Sequence, residues 1–194
     1  MSLKTLLTGL IGSKKPHVEW WSTVPGLTEL EPVQPANKFF PEWFKKMPRW
    51  LEEGNPFDKG TFKNCPGIVD FYKDAFVIPL WADFFLNITD KDFGWKCSNP
   101  DFEMSLHFKE QFLDHTPKNV KNDVMVVAKT DCPWRVKTKK GWGMMQLPMF
   151  YDFSEDFECL PGLTYTEWSH QINQQLLIKK KGEFVLKKGT PIAM

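Results

Sequence analysis

Eight prolines fall within the stretch from Pro16 to Pro66: Pro16, Pro25, Pro32, Pro35, Pro41, Pro48, Pro56 and Pro66. Proline fixes φ at about −65° and carries no N–H, so a segment interrupted this often is not expected to sustain a regular sheet. The stretch is expected to wrap over a folded body rather than to supply its core. One helix fits inside it. Pro41 can take the first helical position, and Phe40, Trp43, Phe44 and Met47 share a face before Pro48 ends the run. The segment PEWFKKMPRW then reads as an aromatic clamp that fastens this arm to the later part of the chain.

After Gly67 the punctuation changes to short segments separated by Gly, Pro, Asn and Asp. From Phe102 to Phe108 apolar and polar residues alternate without a break, the pattern of a half-buried strand. Similar runs cover Phe84–Ile88, Val124–Ala128, Trp134–Thr138, Trp142–Leu147, Ile172–Ile178 and Glu183–Leu186, with Lys-Lys-Gly turn signals ending at Gly141, Gly182 and Gly189. Short strands with no long helix among them predict a mainly β fold: a β-clip, sandwich or small barrel, with a Pro-rich N-terminal arm and one or two short helices.

Ahead of the arm, Leu3, Leu6, Leu7, Leu10 and Ile11 recur at the spacing of one helical face. This predicts an amphipathic helix over 1–15, then the arm over 16–66 and a β-rich domain over 67–194. A helix of about a dozen residues is marginal alone, so its stripe needs cover from its own domain, another protein or a membrane surface. No stretch approaches the roughly 20 apolar residues that span a bilayer, so no membrane span is expected. The N-terminus also lacks the apolar core and cleavage site of a secretory signal, which points to a cytoplasmic setting.

Charge narrows the function classes. Among 194 residues, 25 basic side chains face 24 acidic ones, a net charge of +1. Such a chain has no large cationic field, so nucleic-acid packaging is disfavoured and specific nucleic-acid binding is not expected. Local basic groups do occur: Arg135, Lys137, Lys139 and Lys140 near Trp134, Trp142 and Trp168, and Lys179, Lys180, Lys181, Lys187 and Lys188 further on. They read either as solubilised hairpin turns or as contacts to an acidic partner.

Catalytic patterns are missing from the sequence. Cys65, Cys97, Cys132 and Cys159 form no CxxC pair, and His17, His107, His115 and His170 form no HxH, HxD or HExxH. No GxSxG or GxxxxGK[ST] occurs, and Gly141-Trp142-Gly143 is a lone GxG. Asp152, Glu155, Asp156 and Glu158 cluster without the spacing of a calcium loop. No catalytic residue, metal site or cofactor is therefore expected.

The block Asp131-Cys-Pro-Trp134-Arg-Val136, running to Gly141-Trp142, resembles a family of tailed bacteriophages, marine and cyanobacterial ones among them. Leu160-Pro-Gly-Leu163, the ending Leu186-Lys-Lys-Gly189-Thr-Pro-Ile-Ala193, Phe76–Asp83, Trp20-Trp21 and Phe39–Phe44 are similar to it too. No activity comes with that resemblance; it implies a viral origin. More weakly, the last strands resemble the trimeric dUTPase-like β-clip fold. There the turn after the glycine holds an aspartate and a tyrosine, whereas here it reads Gly162-Leu163-Thr164-Tyr165-Thr166, with Tyr165 and no acid, so the fold alone would transfer.

Aromatic residues make up 15% of the chain, which implies either a core of large flat side chains or an aromatic binding surface. With catalytic patterns missing, the reading is a non-enzymatic phage protein acting through protein–protein contacts, as a structural or accessory component of the virion. An intracellular phage protein that binds and modulates a host protein is the alternative, and a nucleotide- or metal-dependent enzyme on a β-clip or jelly-roll scaffold is a third. The partners would be other virion proteins, a host protein or a second copy of the chain, in the virion or the host cytoplasm. The candidate partner-binding residues are Leu3, Leu6, Leu7 and Leu10, then Trp20, Trp21, Trp43, Phe44 and Trp50 as aromatic anchors unless these pack on the protein's own sheet.

Overall fold

The computed structural model describes residues 3–6, 17–51, 60–90 and 92–194, with the backbone alone at 3–6 and 17. In chain order the first elements are β1 (Leu3–Leu6), β2 (His17–Ser22), α1 (Leu27–Leu30), β3 (Gln34–Pro35), α2 (Glu42–Lys46), α3 (Pro66–Lys73), β4 (Phe76–Pro79), β5 (Phe84–Ile88) and β6 (Phe93–Cys97). They are followed by β7 (Met104–His107), α4 (Lys118–Asp123), β8 (Val126–Thr130), β9 (Trp134–Lys137), β10 (Gly143–Gln146), β11 (Phe157–Cys159), β12 (Gly162–Tyr165), β13 (Gln174–Ile178), β14 (Gly182–Leu186) and β15 (Pro191–Ala193). The fold is mainly β, as the alternating runs predict.

The strands make small antiparallel sheets, ordered β11-β13-β8-β7, β14-β5-β6, β1-β2-β9, β15-β4-β3 and β10-β12, and none of them closes into a barrel. In β5 the side chains of Phe84, Leu86 and Ile88 are buried while Phe85 and Asn87 face water, which sets the register against β14 and β6. Each such fully buried side chain contributes about 1.5–3 kcal/mol. The main core joins these residues to Leu176, Ile178, Ala128, Trp81 and Trp134. A second cluster gathers Ala36, Phe44, Ile68, Tyr72, Val77 and Met194.

Two sequence expectations need correction here. Over Leu3–Leu6 the chain is a strand and not a helix, with Leu3 opposite Trp20 and Leu6 opposite His17. Helical spacing over so few residues is outweighed by pairing to an available sheet edge. The arm also does more than wrap. The gap between Pro16 and Pro25 leaves room for β2, which pairs with β1 on one side and β9 on the other. Trp20, Leu27 and Val33 enter the main core from this stretch, and Ala36 and Phe44 the second.

The clamp forms as the sequence suggests, and its geometry is specific. Phe40 stacks on Phe44 at 4.8 Å and on Tyr72 at 4.4 Å. Trp43 Nε1 donates to the Tyr151 carbonyl at 2.7 Å, and the Tyr72 hydroxyl donates to the Phe150 carbonyl at 2.7 Å. The loop held this way carries Tyr151 at φ 66° and Phe153 at φ 54°, the left-handed region that side chains other than glycine seldom enter.

Candidate functional site

β10 is a wall with two different faces. It starts after Gly141, whose φ of 84° turns the chain back from β9, and it pairs with β12 so that Met145 lies opposite Leu163 and Gly143 opposite Tyr165. Alternation then sends Gly143 and Met145 to one side and Met144 and Gln146 to the other. Met145 is 61% exposed, and Leu163 and Tyr165 are also exposed. A Cβ on Gly143 would stand 3.2 Å from Leu163 Cδ1 and 3.5 Å from Tyr165 Cδ1, so both side chains lean over the glycine.

Trp142, just before β10, is also exposed, and Trp168, just after β12, is 85% exposed. Thr166 ties the patch to the basic turn. Its buried hydroxyl accepts from the Thr138 amide at 2.9 Å, and the two threonine hydroxyls share a hydrogen at 2.6 Å. Thr138 Oγ1 in turn donates to the Trp142 carbonyl at 3.0 Å. Lys137, Lys139 and Lys140 are thereby held beside Trp142, Tyr165 and Trp168, all three lysines exposed.

Along β10 lies a cavity of about 570 Å³, the size of a small-molecule site. Its walls include Val18 and Trp20 of β2, Phe76 and Ile78 of β4, Val136 of β9 with Thr138 beyond it, and all four residues of β10 with Trp142 before them. Phe71 and Met194 close it, and exposed Asp70, Asp74 and Lys139 stand at its edge. Gln146 Nε2 donates to the Leu160 and Asn173 carbonyls, both at 3.3 Å, and to Cys159 Sγ at 3.2 Å. Gln146 Oε1 and Trp20 Nε1 have no partner, although their residues are 5% and 3% exposed.

The structure redistributes the sequence candidates. Trp20 and Phe44 are buried in this chain's own clusters and cannot anchor a partner, which corrects that expectation. Trp43 is half-buried in the clamp, and Trp21 is half-buried edge-on against His170 at 5.3 Å. Trp50 is 65% exposed and keeps the surface position expected of it. Leu3 and Leu6 lie in β1, while Leu7 and Leu10 lie outside the described residues. Trp134 is buried and Arg135 donates to the Cys132 and Trp134 carbonyls, so only part of the first basic group belongs to the surface patch. The second basic group is largely paired: Lys179 with Glu158 and Asp123, Lys180 with Asp156, Lys181 with Asp90 and Lys188 with Glu31.

Among the described residues no three His, Cys, Asp or Glu side chains gather to hold a metal ion. Burial pushes the Cys132 and Cys159 thiols up to about 12, which keeps both protonated at neutral pH and weak as nucleophiles. His115 Nε2 lies 2.9 Å from the Glu110 carbonyl, and His170 Nδ1 lies 3.1 Å from the Val136 carbonyl. Among the described residues no helix is long and apolar enough to cross a membrane. The chain matches no family model, no curated protein and no solved structure.

Proposed function

We propose that this is a non-enzymatic binding protein that works by contact with another protein through the outward face of the β10–β12 ribbon. One observation carries the reading: Met145, Leu163 and Tyr165 share an exposed face of the β10–β12 ribbon, with the exposed Trp142 and Trp168 and the exposed Lys137, Lys139 and Lys140 on the segments that flank it. Exposed aromatic patches rimmed by polar side chains mark interaction sites, and Trp and Tyr supply most of the energy where partners meet. Lys137 stands opposite Glu19 in the β2–β9 ladder and Glu167 precedes Trp168, so charge adds little and the partner surface is expected to be mainly apolar. The resemblance to a tailed-phage family suggests the setting, with another virion protein as the partner.

The test measures this chain by mass spectrometry in purified phage particles beside infected-cell lysate, for the natural chain and for a Met145→Glu, Leu163→Glu double variant. The natural chain is expected at fixed copy number and the variant is expected to be lost from particles. Its circular dichroism should be unchanged, because both side chains already face water. Equal incorporation of the variant would refute the ribbon as the contact. A natural chain missing from particles but present in lysate would transfer the contact to a host protein, to be captured with the same variant as control.

A further inference from the structure

Strand β10 has one edge in use and one open. Bonded and non-bonded rungs alternate along an antiparallel pair. The Thr164 carbonyl stands 3.5 Å from the place a Cβ on Gly143 would take, so the bonded rungs with β12 are Met144 with Thr164 and Gln146 with Gly162. Gly143 and Met145 therefore turn their N–H and C=O groups to the other edge, where they meet no partner among the described residues. Leu147 turns the same way, and its rung is made: its N–H donates to the Met194 carbonyl at 2.7 Å and its carbonyl accepts from the Met194 N–H at 3.0 Å, the exchange of an antiparallel pair. A ladder on this edge thus begins at Leu147 and stops short of Met145. The cavity of about 570 Å³ runs along the same edge, since every residue from Trp142 to Leu147 lines it together with Met194, Val18, Phe76 and Val136. Open edges are ordinarily guarded by lysine, proline or a bulge. The Gly-Met-Met-Gln of β10 has neither charge nor proline and pairs with β12 without a bulge. A two-stranded ribbon is also marginal by itself in water.

We propose that the partner protein supplies an extended segment that adds antiparallel to this open edge as the third strand of the ribbon. The inference rests on the partner contact proposed for the ribbon and names the form of the partner. Residues opposite Met145 and Gly143 exchange both hydrogen bonds at each rung, in the direction Met194 already sets. The residue between them, opposite Met144, turns its side chain to the face of Met144 and buried Gln146. The charged groups of the cavity, Asp70, Asp74 and Lys139, are exposed at its edge, so a charge carried inside would meet no buried countercharge. The segment is therefore uncharged, with an apolar side chain at that central position. A cavity of about 570 Å³ takes the side chains of one short segment and not a second folded ribbon, which disfavours a second copy of this chain as the occupant.

Amide hydrogen exchange of the whole protein, read residue by residue by NMR, tests the edge because it follows the backbone and not the side chains. In the free protein the Gly143 and Met145 amides are expected to exchange at least roughly tenfold faster than those of Met144, Gln146 and Leu147, whose bonds are made. The probe is the peptide acetyl-Lys-Ser-Val-Ser-Leu-Ser-Val-Ser-Lys-amide in large excess, with its apolar residues on one face. It should slow Gly143 and Met145 by roughly tenfold or more and leave the already bonded amides unchanged. The same peptide N-methylated at every serine keeps its side chains and loses the N–H groups that face β10, so it should have no effect. No slowing by the first peptide, or equal slowing by both, would overturn the added strand. Slow exchange at Gly143 and Met145 in the free protein would overturn it as well: loss of that protection on dilution assigns the edge to a second copy, and its persistence assigns the edge to this chain itself. Leu163→Glu separates the edge from the face, because Leu163 lies on β12, on the far side of β10 from the open edge. Peptide protection should stay within about twofold in that variant. Normal incorporation of the variant into particles with peptide protection intact sinks the face alone, and loss from particles with no protection by the peptide in the natural chain sinks the edge alone.

Discussion

Removing either anchor of the 150–153 loop should cost stability, and removing both should cost less than the sum. The Tyr72 hydroxyl and Trp43 Nε1 each donate at 2.7 Å to the consecutive carbonyls of Phe150 and Tyr151. Tyr72→Phe removes one bond and leaves a partly buried carbonyl unpaired, a loss of about 1–2 kcal/mol. Trp43→Phe loses the other bond together with some ring area, about 2 kcal/mol. While one anchor remains, Tyr151 and Phe153 stay at φ 66° and 54°, a conformation that costs non-glycine residues roughly 1–2 kcal/mol each. With both gone the loop relaxes and part of that strain is recovered, so the double variant should fall short of additivity by at least about 0.5 kcal/mol. Urea unfolding followed by circular dichroism measures all three variants, with an unchanged slope as the sign that the unfolded state is comparable. The same series has a pH signature. Burial raises the Tyr72 phenol from its ordinary value of 10 to about 12, so its contribution is whole below pH 10 and is lost as pH rises to 12. The stability gap between the natural chain and Tyr72→Phe should therefore narrow across that window. Additivity within about 0.3 kcal/mol would refute the shared strain, and a gap that widens between pH 10 and 12 would refute the buried phenol.

Two further outcomes follow from buried polar groups. Thr130 lies opposite Gln174 in the β8–β13 ladder, both are buried, and neither side chain has a partner. Thr130→Val should be neutral or stabilising by up to about 1 kcal/mol in urea unfolding, and a loss above 1 kcal/mol would mean the hydroxyl is satisfied. Cys132 and Cys159 should resist a thiol reagent at pH 8 while half-buried Cys65 and Cys97 are modified first, as read by peptide mass spectrometry. Because burial raises both inner thiols from the ordinary 9 to about 12, their contribution holds below pH 9 and is lost between pH 9 and 12. Flat stability across that range would contradict their burial.

What could be read from the sequence follows the range over which each signal acts. Phe84–Ile88 carries its burial in its own alternation and forms the strand at those bounds. Phe102 to Phe108 alternates equally well, yet the strand shortens to Met104–His107 because Phe108 at its end is exposed beside a 3-10 turn. Leu3–Leu6 misleads because one turn of leucines fits a helix face, while the partner that makes it a strand is β2, across a gap in sequence. The candidate site was half visible. Trp142–Leu147 reads as a strand, but at four residues Gly162–Tyr165 is too short for its single Leu-Thr-Tyr alternation to mark a strand. Its pairing with β10, which brings Leu163 onto Met145, is a long-range fact. The unpaired atoms of Trp20 and Gln146 follow from packing alone, and no spacing encodes them.

Gly143 offers a way to disturb the ribbon. Its backbone shows no positive φ, so alanine is sterically allowed in the strand, and loss of chain freedom in the unfolded state would favour alanine by about 0.4–1 kcal/mol. The new methyl would meet Leu163 Cδ1 at 3.2 Å, the Thr164 carbonyl at 3.5 Å and Tyr165 Cδ1 at 3.5 Å. The closest of these is the tip of a flexible, exposed side chain, which can rotate away at little cost, so the two effects roughly cancel and stability should change by less than about 1 kcal/mol. Displacing Leu163 breaks the continuity of the apolar face between Met145 and Tyr165, whereas Met144 and Gln146 keep their inward positions. Gly143→Ala should therefore weaken capture of the partner protein while the urea midpoint stays nearly unchanged. Partner capture unchanged by Gly143→Ala would refute the Met145–Leu163–Tyr165 face as the contact.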